Sequence, residues 1–379
     1  MTSIAYRGKA VVGTHTEDST IVIENGVITS IQRQLLSDGN LPETVIDADL
    51  VSPGLIDLQV NGGWGKQVTA DPADIDHISK SQLETGVTAW LPTVVTSAAE
   101  TYPPVFEAWS KHNPDAGAVP LGYHLEGPFI TLEKKGAHNP DFIEAASEEL
   151  FQSWLEQDSV KLVTLSPERG HGIRRIREMV AKGILVSLGH TNSTYEEFVA
   201  GIDAGARKAT HLFNAMTSIH HRAPGAMVAT LVDDRVTAGL IPDGVHSHPA
   251  TVRLAIKTKG VDGIVIVSDM MAACGLGPGT YRLGTMQVTV TEESARLADG
   301  TLAGSILSMD QALRNLVDWS ECTPAEAIHM MTTVPARLLD DPSRGRLVVG
   351  ARADIATWNR DLQPETVMVG GKIQWSQTR

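Results

Sequence analysis

The chain has 379 residues with 31 basic against 45 acidic side chains, a formal net charge of −14. That balance argues against a general nucleic-acid or membrane-surface binder, leaving room only for a local basic pocket, and the length suits a large barrel with a small accessory piece. Two cysteines, Cys274 and Cys322, exclude a disulfide framework and a thiolate zinc site, and no run approaches 18 uncharged apolar residues, so a cytoplasmic protein is expected, with no nucleic-acid or membrane partner.

In chain order, "STIVIENGVITSIQ" is two apolar runs about Asn25-Gly26, a hairpin signal. "PGLIDLQVNG" then opens a series of eight β-rich runs, and its C-terminal tip carries Gln59 and Asn61. "GVTAWLPTVVTS" ends on Thr93 and Thr96, and "GAVPLGYHLEGP" on Glu126, with Gly127-Pro128 stopping the strand. A buried carboxylate without a partner is costly, so Glu126 calls for a cation. The loop "KKGAHNP" places His138 where it could cover a mouth, and "DFIEAASEELFQSWLEQ" predicts one helix with Ile143, Ala146, Leu150 and Trp154 on its buried face.

"VKLVTLSPE" ends on Ser166 and Glu168, "GILVSLGHTN" on His190, and "ARKATHLFNAM" on His211 and Asn214. Arg222 in the loop "HHRAPG" suits a phosphate or carboxylate, while its neighbours His220 and His221 read as solvent-exposed. "VTAGLIPDGVHS" reaches His246, read as a substrate contact, with His248 solvated or capping a helix; "DGIVIVSDM" ends on Asp269. The closing runs "ADIATWN" and "VMVGGKIQW", the latter turning at Gly370-Gly371, add strands that can pair with the N-terminal hairpin.

Eight alternations of strand and helix predict a (β/α)8 TIM barrel over 53–345, with a small β-sandwich domain built from both termini, 1–52 and 346–379. Counts alone also fit a nine-strand doubly wound sheet, but polar residues gathered at the C-terminal tips favour the barrel, whose active site lies at that face. His190 and His211 end successive strands, so their imidazoles point into one mouth near Glu126. Two imidazoles and a carboxylate make a three-ligand catalytic metal set with one position open. Asp269, at the last tip, is placed to move a proton there.

The motifs "PGLIDLQVNG", "HLEGPF", "KKGAHNP", "SLGHTN", "ATHLFNAM", "HHRAPG", "PDGVHS" and "VSDMMAA", in that order along nearly the whole chain, resemble the amidohydrolase superfamily, in particular its N-acetylglucosamine-6-phosphate deacetylase family. The resemblance implies an amidohydrolase-type barrel that hydrolyses the acetamide of a hexosamine 6-phosphate, in amino-sugar catabolism and cell-wall recycling. It implies metal ligation by Glu126, His190 and His211, with Asp269 as acid/base. Substrate contacts are implied for His138, Asn214, Ala215, Arg222 and His246, the last two meeting the phosphate from the neighbouring subunit of a homodimer. Gln59-Val60-Asn61 stands where many relatives have His-X-His, which implies one tightly held divalent ion per subunit, with Gln59 and Asn61 as first-strand contacts or weak ligands of a second. Zinc is expected, and iron, manganese or cobalt would suit the same donors. The rival readings are a galactosamine-type deacetylase and a non-catalytic scaffold.

Overall fold

The computed structural model describes residues 3–69, 71–320 and 322–377. Eight parallel strands build the main body, numbered here β1 (Leu55–Val60), β2 (Val87–Val95), β3 (Tyr123–Glu126), β4 (Val160–Leu165), β5 (Leu185–Leu188), β6 (Lys208–Ala209), β7 (Thr237–Leu240) and β8 (Ile264–Ile266), hydrogen-bonded in that sequence. A short extra strand, Val119–Pro120, pairs with β2. Every residue of β1 and β2 is buried, as strands covered on both faces require. Just past β8 the ring closes on β1: the Asp269 N–H donates to the Gln59 carbonyl at 3.0 Å and the Asn61 N–H to that of Met270 at 2.9 Å. Closure excludes the doubly wound alternative, because an open sheet keeps two edges.

The two termini together form a separate seven-stranded sheet, in the order Lys372–Ser376, Pro364–Val369, Ile355–Trp358, Thr44–Pro53, Ser3–Val12, His15–Glu24, Val27–Gln32. Its strands share one core that includes Tyr6, Ile21, Ile28, Val51, Ile355 and Met368. Both hairpin turns have positive φ at both central residues, 52° and 82° at Asn25-Gly26 and 56° and 78° at Gly370-Gly371, the backbone that such two-residue loops need. The turns pack on each other, so a Cβ on Gly371 would stand 2.4 Å from Gly26 Cα. Trp358 ties this sheet to the barrel: its Nε1 donates to Ser52 Oγ within the sheet at 2.8 Å, and its ring fills the space beside Gly86, just before β2.

Two expectations about local structure change. The helix predicted over 141–157 is two, Pro140–Glu144 and Glu148–Trp154. Ser147 takes an extended backbone and its Oγ accepts from the Leu150 N–H at 3.2 Å, so a capping side chain restarts the helix in mid-pattern. The apolar face survives the break, with Ile143, Leu150 and Trp154 buried. A three-stranded sheet, Gly279–Leu283, Met286–Val290 and Ala295–Arg296, was not foreseen. It packs Leu283, Val288 and Val290 onto Val95, Ala137 and Met271, and so builds one wall of the barrel mouth. No helix among the described residues is long and apolar enough to cross a membrane.

Candidate active site

Three of the side chains singled out at strand tips sit on left-handed backbone: His190 at φ 48°, His211 at 32° and Asp269 at 51°. Each costs roughly 1–3 kcal/mol for a residue with a Cβ, and persists only where the surroundings hold it. Here the holding groups are visible. The His190 carbonyl accepts from the Thr131 N–H at 3.0 Å and from Ser166 Oγ at 2.6 Å, and the Leu212 N–H, next to His211, donates to Gly239 at 2.7 Å. The Asp269 carbonyl accepts from Ser305 N–H at 2.8 Å. Glu168 braces the same rim, its carboxylate accepting from Thr131 Oγ1 at 2.6 Å, Thr191 Oγ1 at 2.7 Å and the Asn192 N–H at 2.7 Å. A capping box between Thr194 and Glu197 then starts the helix Tyr195–Asp203.

These turns aim three donors at one point. Glu126 Oε1 lies 3.3 Å from Nε2 of both His190 and His211, and the two Nε2 atoms are 3.0 Å apart. Donors on a tetrahedral zinc at about 2.0–2.2 Å are separated by about 3.3–3.6 Å, so the two edges to Glu126 match such an ion and the His190–His211 edge is shorter by about 0.3 Å. His190 Nδ1 faces the Lys134 carbonyl at 2.8 Å; donating its proton there leaves Nε2 as a lone pair turned to the centre. Burial would raise the Glu126 carboxyl, but the facing imidazoles of His190 and His211 overcome it and hold the group well below the usual carboxylate range. Burial pushes His211 down, which favours the neutral imidazole that metal binding requires. His138 is closer than its loop position implied: its donor atom and those of Glu126 and His190 all lie within 4.8 Å of one another. Its Nδ1 is engaged by Thr96 Oγ1 at 2.7 Å, and burial holds its pKa at about 3.

Asp269 stands beside this centre and is gripped from β1. Gln59 Nε2 donates to Glu126 Oε1 at 3.1 Å and to Asp269 Oδ1 at 3.0 Å, and Asn61 Nδ2 donates to the same Oδ1 at 2.8 Å. Burial and the Glu126 charge push Asp269 up to about 7, against His246, Asn61 and Gln59. The cavity above holds about 300 Å³ and is lined by Glu126, His138, His190, His211, Asn214, Ala215, His246 and Asp269 among others. Below it runs a hydrogen-bonded floor that the sequence did not announce: Thr93, His124, Thr164, Thr210 and Ser187, linked at 3.3, 2.8, 2.8 and 2.5 Å. Burial holds His124 at about 3, a neutral member of that layer.

The amidohydrolase family profile matches residues 50–374. The chain belongs to the amidohydrolase family. It is 37% identical over 363 residues to the N-acetylgalactosamine-6-phosphate deacetylase of Escherichia coli O157:H7, covering 94% of this chain and 95% of that one. The N-acetylglucosamine-6-phosphate deacetylase of Bacillus subtilis is 33% identical over 361 residues, 93% of this chain and 91% of that one. Among solved structures, N-acetylglucosamine-6-phosphate deacetylase from Pasteurella multocida superposes with a TM-score of 0.93 at 29% identity, over 99% of this chain and 100% of that one. A Mycobacterium smegmatis variant in complex with N-acetyl-D-glucosamine-6-phosphate gives 0.92 at 30%, with the same coverage.

Within this amidohydrolase the remaining candidates divide. Asn214 and Ala215 line the cavity, as does His246, whose Nδ1 lies 2.6 Å from Asp243 Oδ2. Burial would lower His246, but the Asp243 carboxylate wins and raises it. Arg222 is exposed, outside the cavity, and its Nη1 lies 2.8 Å from His221 Nε2. His220 and His221 are exposed, and His248 caps the helix Pro249–Lys259.

Proposed function

We propose that the chain is a cytoplasmic, homodimeric deacetylase that hydrolyses the acetamide of N-acetyl-D-glucosamine 6-phosphate to D-glucosamine 6-phosphate and acetate. The observation that carries this reading is the donor triangle of Glu126, His190 and His211 with Asp269 held beside it by Gln59 and Asn61. His211 is preferred to His138 as third ligand because its Nε2 lies 3.3 Å from Glu126 Oε1 and 3.0 Å from His190 Nε2, near the edge of a tetrahedral site.

Glu126, His190 and His211 would hold a divalent ion, zinc in the first instance, which would supply Lewis acidity toward the acetamide carbonyl and toward a water. Asp269 takes a proton at one carboxylate oxygen from the water whose oxygen bonds to the acetamide carbon, and returns it to the amine nitrogen as the C–N bond breaks and acetate leaves. A carboxyl pushed up toward neutrality can both accept and give a proton in one cycle. Gln59 and Asn61 fix its aim, and the Gln59 amide, a poor metal ligand, serves as a donor between two carboxylates. Asn214, the backbone at Ala215, His138 and His246 hold the sugar, while Arg222 serves the phosphate at the neighbouring subunit's mouth. The free, buried state of Cys274 and Cys322 suits a reducing compartment.

A galactosamine-type substrate is the second reading, favoured by the Escherichia coli relative. Acetate release from N-acetylglucosamine 6-phosphate, its galacto epimer and the unphosphorylated sugars decides among them. The gluco phosphate should turn over fastest, and no acetate from either phosphate would overturn the deacetylase reading.

A further inference from the structure

The barrel interior holds a cation that the reaction above does not use. Lys208 opens β6 with its side chain fully buried, and its Nζ has no hydrogen-bond partner. Gly239 on β7 makes room for it: a Cβ there would stand 3.1 Å from Nζ and 3.2 Å from the His211 backbone nitrogen, so the ammonium lies beside the turn that presents His211. On β1, Asp57 is equally buried. Its Oδ1 accepts from the N–H groups of Gln59 at 3.2 Å and Ser268 at 3.3 Å, and its Oδ2 has no partner. Burial pulls Lys208 down to about 8, and the charges that oppose this are Glu126, Asp269 and Asp57, in that order.

An isolated ammonium inside a barrel is expensive unless neighbouring charge offsets it. Glu126, Asp269 and Asp57 together carry one more negative charge than a single divalent ion can neutralise, and the first strand, with Gln59 and Asn61 in place of imidazoles, offers poor donors for a second ion. We propose that Lys208 is the fixed counter-charge of this centre, a positioning residue that, set against Asp57, balances the site around one divalent ion. The sign of its effect separates this from a merely structural role. Removing the ammonium leaves the site more negative, so the ion is held more tightly; removing the Asp57 charge does the opposite. A side chain that only props the barrel open would loosen the ion when replaced.

The test uses zinc-loaded wild type, Lys208→Met, Lys208→Gln, Asp57→Asn and the double variant Asp57→Asn/Lys208→Met, with release of zinc to a coloured chelator as the readout. Both Lys208 variants should release zinc on the order of ten-fold more slowly, Asp57→Asn on the order of ten-fold faster, and the double variant within about three-fold of wild type. Release from both Lys208 variants as fast as, or faster than, wild type overturns the proposal. If the single variants do not fold, the double variant decides, since it leaves no unpaired charge: release near the wild-type rate supports the balance and release on the order of ten-fold faster overturns it. The inference rests on the metal reading. Wild type that takes up no ion defeats that reading, whereas a wild type that holds zinc beside unaltered Lys208 variants defeats only the role of Lys208.

Discussion

Gln59 offers the sharpest test of the proposed mechanism, because one amide nitrogen donates both to Glu126, the proposed metal-facing carboxylate, and to Asp269, the proposed proton carrier, at 3.1 and 3.0 Å. Gln59→Met keeps the unbranched length of the side chain and removes both donations. A hydrogen bond to a charged group contributes about 1.5–3 kcal/mol, and since Asn61 still holds Asp269 at 2.8 Å, one such loss should reach turnover, a fall of about ten- to hundred-fold. The pH profile should move as well. The donation from Gln59 lowers the Asp269 pKa, so its removal raises it further. Asp269 must begin the cycle deprotonated, so the acidic limb of kcat/KM should shift to higher pH, and activity at low pH should suffer most. The assay is acetate release across pH on folded, metal-replete protein. A kcat/KM near the wild-type value with an unmoved acidic limb would refute the bridging role.

Asp269→Asn should retain its metal and lose turnover by about 10²–10⁴-fold, read by elemental analysis and acetate release on one sample; near-normal turnover would reject it as the acid/base. His211→Ala should lower metal stoichiometry, and an unchanged value would pass the third ligand position to His138. For Arg222→Ala, the KM for the phosphorylated sugar should rise with little change in kcat, and an equal effect on the unphosphorylated analogue would take the phosphate away from it.

The reaction centre was readable because strand tips advertise themselves. Glu126 before Gly127-Pro128, His190 after "SLG" and His211 after "KAT" each put a polar side chain where an apolar run stops, and ring closure brings those stops together. Gln59 was noticed for the ligand it fails to be, while its role as a donor to two carboxylates emerged only once β1, β3 and the end of β8 were neighbours. Lys208 escaped for a related reason: in "ARKATHL" a lysine looks like the solvated start of a strand, and only the missing side chain at Gly239, thirty-one residues on, shows that it points inward. The sheet over Gly279–Arg296 alternates as strands do, but alternation does not reveal that its apolar face docks on Val95 and Ala137. Ser147 shows the limit of periodicity, which follows a buried face straight through a capped break.

The claim beneath all of this is that Glu126, His190 and His211 clasp one divalent ion. Diffraction from zinc-replete crystals on either side of the zinc absorption edge tests it directly. The account predicts a single strong anomalous peak within about 2.0–2.2 Å of Glu126 Oε1 and of Nε2 of both histidines. A zinc-replete crystal with no peak among those three atoms, or with its peak on another set of side chains, would contradict it.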